Sequence, residues 1–61
     1  MGDSERHGYI TVNGHSHDVT WHTISHEVFV YSRNWWYAGK AYSLSEALDV
    51  AESYLRSQGW T

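Results

Sequence analysis

The sequence predicts an α+β fold, an antiparallel β-meander of three to four strands with one C-terminal amphipathic helix packed on one face. Three observations carry this expectation. Asn13-Gly14 sits between two stretches of alternating polarity, the strongest short-range hairpin signal because both turn residues accept positive φ. The run Val28-Phe29-Val30-Tyr31 is β-branched and aromatic, as strands prefer. Ser43-Leu44-Ser45-Glu46 opens a stripe of apolar residues at helical spacing, which is how a capped amphipathic helix reads.

The 61 residues form one predicted domain, since a chain this short buries a modest core. Residues 1–6 are polar and are expected to be a disordered lead. The meander covers residues 8–41. Its first strand spans 8–12, where Tyr9-Ile10-Thr11-Val12 alternates with period two. After Asn13-Gly14 the chain returns as a second strand over 15–21, connects through 22–25, and runs as a third strand over 27–31. Residues 32–34 turn it, and a fourth strand follows over 35–41, weakened by Gly39. A β-grasp with a helix starting near Ser25 is the competing arrangement. The β-branched and aromatic run that follows opposes it.

The helix spans 43–58. The Ser43 hydroxyl is placed to accept from the Glu46 amide while the Glu46 side chain reaches back. Leu44, Ala47, Leu48, Ala51 and Leu55 share one stripe, and Glu52 and Arg56 are an i,i+4 pair. Gly59 supplies the residue that ends the helix.

A two-residue Asn13-Gly14 turn pairs Val12 with His15, Ile10 with His17 and Gly8 with Val19. Directly paired residues share a face. Ile10, Val12, His15, His17, Val19 and Trp21 therefore face the helix, and Tyr9, Thr11, Ser16, Asp18, Thr20 and His22 face away. A second hairpin turning at Arg33-Asn34 pairs Glu27 with Lys40, Phe29 with Ala38, Val30 with Tyr37 and Tyr31 with Trp36. It sends Val28, Val30, Trp35 and Tyr37 to one face and Glu27, Phe29, Tyr31, Trp36 and Lys40 to the other. The charged Glu27–Lys40 pair marks that second face as the outer one. One helix covers only one face of a sheet, so Phe29, Tyr31 and Trp36 are expected to form an open aromatic patch, the mark of an interaction surface. A slip of one residue would exchange the faces and draw the patch around Trp35 and Tyr37.

Composition bounds the function. Four Trp, five Tyr and one Phe stand among 61 residues, with no Cys and no Pro. Without cysteine there is no disulfide framework and no thiolate metal site. No apolar run approaches the roughly 20 residues of a membrane-spanning helix, and a cytoplasmic location is expected. The formal net charge is −3, and protonating all five histidines would carry it to +2.

No nucleophile elbow and no glycine-rich phosphate loop appears, His17 and Asp18 point to opposite faces, and no enzyme activity or cofactor is expected. His15 and His17 share a strand face and are the weak candidates for a metal, but a third ligand is hard to find because His7 and His22 lie on the other side. His15 and His17 read as solvent-facing histidines at a strand end; were they partly buried on the helix side, charging them would cost desolvation.

The strand order followed by Ser43-Leu44-Ser45-Glu46-Ala47 resembles the arm-type DNA-binding domains of phage integrases, over the helix start and the order of elements. That resemblance implies a sheet that contacts DNA. Only Arg33 and Lys40 flank the aromatics here, and so few phosphate contacts leave affinity weak at physiological salt.

The function expected is a small non-enzymatic protein-binding module, of the kind a phage or other mobile element uses as an inhibitor or adaptor against a host protein. Its contact residues are expected to be Phe29, Tyr31, Arg33, Trp36 and Lys40, with Tyr9 and Thr20 alongside. Its partner is another protein or a second copy of itself, with no membrane partner.

Overall fold

A computed structural model describes residues 4–59. Four strands, β1 (Glu5–Val12), β2 (His15–His22), β3 (Glu27–Ser32) and β4 (Asn34–Lys40), are followed by one helix, α1 (Leu44–Ser57). The strands form one antiparallel sheet in the order β1-β2-β3-β4. This is the expected α+β meander with a C-terminal helix. β1 starts earlier than the sequence suggests, so Glu5 and Arg6 belong to the strand and pair with His22 and Trp21; the first three residues of the expected lead lie outside the described residues. No helix among the described residues is long and apolar enough to cross a membrane.

The first hairpin has the expected register. Asn13 and Gly14 take φ of 56° and 83°, which sets Val12 opposite His15 and Gly8 opposite Val19. Between β2 and β3 the chain turns through His26, at φ 67°. The His26 amide donates to the His22 carbonyl at 2.8 Å, and the His26 carbonyl accepts from the Ala41 amide at 2.8 Å. That residue thus ties the turn to the start of the β4–α1 connection.

The second hairpin departs from expectation. Arg33 alone forms its tip, with φ 67°, so Ser32 pairs with Asn34, Tyr31 with Trp35, Val30 with Trp36 and Phe29 with Tyr37. Below this the register shifts by one, and Val28 pairs with Gly39 and Glu27 with Lys40. Ala38 is the extra residue of a β-bulge. Gly39 follows at φ 149°, a conformation natural only to glycine. Glu27 meets Lys40 as expected, but above the bulge the faces of β4 are exchanged.

The core lies between the helix and the inner face of the sheet. Ile10, Val12, Val19, Val28, Val30, Ala41, Ala47, Ala51 and Leu55 are buried. Ala47 and Ala51 are small, which lets the helix sit low on the sheet. Gly8 and Gly39 receive it: a Cβ on Gly8 would stand 3.1 Å from Leu48 Cδ2, and one on Gly39 would stand 3.0 Å from Val50 Cγ1. Trp21 packs against this core and its Nε1–H donates to the Ala41 carbonyl at 2.8 Å.

Ser43 caps the helix, its hydroxyl accepting from the Glu46 amide at 3.1 Å. The Glu46 carboxylate reaches back one residue further than in the usual box and accepts from the Tyr42 amide at 2.7 Å. Ser43→Ala should lower stability by about 1 kcal/mol, read as a fall of about 4–8 °C in the thermal midpoint. A midpoint unchanged by the substitution would show that water replaces the cap without loss.

Candidate functional site

Alternation along the strands decides what the uncovered side of the sheet displays. Val19, Trp21, Val28 and Val30 point to the helix. Their neighbours Thr20, His22, Phe29 and Tyr31 must then point away. Thr20 pairs with His7 and Phe29, Phe29 with Tyr37, Tyr31 with Trp35, and Tyr9 with Asp18. Paired residues share a face, so the open face carries Tyr9, Phe29, Tyr31, Trp35 and Tyr37, with His7, His22, Glu5, Glu27 and Lys40 along its lower part.

The rings hold one another in fixed arrangements. Tyr31 and Trp35 lie with centroids 5.2 Å apart and planes at 61°. Phe29 contacts Tyr37 at 5.7 Å and His22 at 5.4 Å, both edge to face. Such geometry places the positive edge of one ring toward the negative face of the next. Each contact therefore orients a ring whose outer side still meets solvent. Trp35 is 52% exposed and Tyr37 50%.

Of the contact residues expected from sequence, Phe29, Tyr31, Tyr9 and Lys40 lie on the open face. Arg33 is exposed at the hairpin tip. Trp36 does not belong to this face. It pairs with Val30 on the helix side, and its Nε1–H donates to the Ser32 carbonyl at 3.0 Å. The cause is the one-residue tip at Arg33, which the bulge at Ala38 compensates lower down. Thr20 is on the open face but only 7% exposed. It forms the floor beneath larger neighbours, with Oγ1 3.3 Å from His7 Nδ1. Trp35 and Tyr37 take the place of Trp36, as a one-residue slip would have them do, and His7 and His22 lie on the open face as the first register requires. Glu5, assigned from sequence to the lead, joins them. Gly39 was the available signal, since glycine inside a strand often marks a bulge.

His15 and His17 share the inner face, as their pairing with Val12 and Ile10 requires. His15 is exposed and His17 is half-buried. His17 Nδ1–H donates to the Tyr31 carbonyl at 3.2 Å. Both histidines line a cleft at the hairpin tips together with Arg33, whose positive charge is unfavourable to a neighbouring cation. Among the described residues no group of three or more His, Cys, Asp or Glu side chains is placed to hold a metal ion.

Comparison of the chain with protein-family models, curated proteins and solved structures finds no match.

Proposed function

We propose that this protein is a small non-enzymatic binding module, a compact inhibitor or adaptor, that docks on another protein through its open sheet face. One observation carries the reading. Trp35 and Tyr37 stand half-exposed beside Tyr31 on the side of the sheet that the single helix leaves bare. Aromatic rings already oriented by their neighbours lose little side-chain entropy on docking, and Trp and Tyr dominate the energetics of protein interfaces. The mild negative charge speaks against a nucleic-acid ligand, whose binding draws on many phosphate contacts.

Immobilised protein offered a host extract should retain a partner that a Trp35→Ala/Tyr37→Ala variant does not. Circular dichroism should show the variant still folded, because both side chains lie outside the core. Retention of the same partner by the variant would remove the open face as the contact surface. Sedimentation of the pure protein separates a foreign partner from a second copy: a dimer abolished by the same two substitutions would identify the partner as the chain itself. A submicromolar complex with a short DNA duplex at physiological salt would replace the reading with nucleic-acid binding.

A further inference from the structure

The open face is not flat. Glu5, His7, Thr20, His22, Phe29 and Trp35 line a shallow, open recess of about 430 Å³. It exists because position 20 holds a short side chain among larger ones. Thr20 is buried at its floor, and the rings of His7, His22, Phe29 and Trp35 stand around it. The lining is mainly apolar, with a carboxylate at its rim: Glu5 is half-exposed and 3.7 Å from His22 Nε2. That distance exceeds a hydrogen bond. Among the described residues no lysine or arginine lines the recess.

We propose that this recess receives the guanidinium of an arginine side chain presented by a protein partner. The inference rests on the reading of the open face as a protein-binding surface, and it names what the surface recognises. Aromatic faces attract cations through their quadrupole. A carboxylate at the rim supplies the opposite charge and can accept two parallel N–H bonds from one guanidinium. A planar, weakly hydrated guanidinium can stack on an aromatic ring of the recess while bonding Glu5 in its plane, whereas an ammonium is a strongly hydrated point charge that matches neither feature as well. The net charge of −3 favours a basic partner over an acidic one in the encounter. Tyr31 and Tyr37 beside the recess supply apolar contact around the anchored side chain.

N-acetyl-arginine methylamide is the probe, titrated into isotope-labelled protein and followed by NMR. Saturable shifts are expected at the Trp35 indole and at the amides of Glu5, His7 and Thr20. The citrulline analogue has nearly the same shape but no charge, and should bind about tenfold more weakly, the loss of one cation–π and ion-pair contribution. The lysine analogue should also be weaker than arginine. Glu5→Gln should weaken arginine about fivefold, and Thr20→Leu, which fills the recess, should abolish the shifts. Should Thr20→Leu fail to fold, Glu5→Gln reads the same site from its exposed rim.

Equal binding of citrulline or lysine, shifts confined to other surfaces, or no saturable shift would overturn the proposal. Its failure is distinguishable from failure of the docking face. A partner lost on Trp35→Ala/Tyr37→Ala but retained by Glu5→Gln and Thr20→Leu would leave the face standing without the arginine.

Discussion

Leu55→Ala is expected to unfold the protein or bring it to the edge of unfolding. Leu55 is fully buried and is the largest such side chain in the chain's described residues. The helix otherwise sets only Ala47 and Ala51 wholly into the core, so Leu55 supplies most of the deeply buried volume that α1 contributes. Truncating a buried leucine costs about 2–5 kcal/mol. A domain of this length has roughly 3–9 kcal/mol of stability in total, taken at the usual amount per residue. The loss is therefore comparable with the whole. Leu48→Ala should cost less, because Leu48 is only half-buried at the margin of the core. Thermal melts by circular dichroism compare the two. A midpoint for Leu55→Ala within about 5 °C of the parent would mean that the sheet and helix re-close around the cavity.

Gly39→Val is the second substitution expected to be severe, for two separable reasons. At φ 149° a β-branched residue is strained, at a cost of about 1–3 kcal/mol. Its Cβ would also meet Val50 Cγ1 at 3.0 Å, and forcing extra atoms into a packed contact adds about 1–3 kcal/mol. Gly14→Val isolates the first term. Gly14 also has positive φ, at 83°, but a Cβ there has nothing within 4 Å. Gly39→Val should therefore lower the midpoint clearly more than Gly14→Val. Equal losses would mean that Val50 yields without cost. The Trp36 indole adds a second readout: if the strand escapes strain by losing its bulge, its Nε1–H should lose the bond to the Ser32 carbonyl.

The first hairpin and the helix were legible because each rests on local chemistry. Asn13-Gly14 accepts positive φ at both positions, and Ser43 with Glu46 caps the helix through bonds only a few residues long. The second hairpin was not legible, for a particular reason. The one-residue tip at Arg33 shifts the pairing by one, and Ala38 shifts it back. Glu27 thus faces Lys40 with or without the two irregularities, so the charge pair that supported the simpler register could not test it. Nothing in the side chain of Arg33 announces positive φ. The recess was invisible for another reason. It depends on Thr20 lying between residues of three different strands, a tertiary arrangement that no spacing along the chain encodes.

The bulge at Ala38 has a further effect, on behaviour in concentrated solution. β4 is an edge strand, and its segment Trp35-Trp36-Tyr37 is exposed, aromatic and uncharged. A straight edge of this kind is a template for strand addition by other molecules. The chain contains no proline to interrupt it. The bulge confines the regular edge above it to residues 34–37, and Lys40 sets a charge just below. Bulged, twisted edges and lysines are the devices by which sheets avoid pairing edge to edge. The irregularity that turns Trp35 and Tyr37 outward also shortens the regular edge open to strand addition, so exposed aromatic rings and a guarded edge lie on neighbouring residues of one strand.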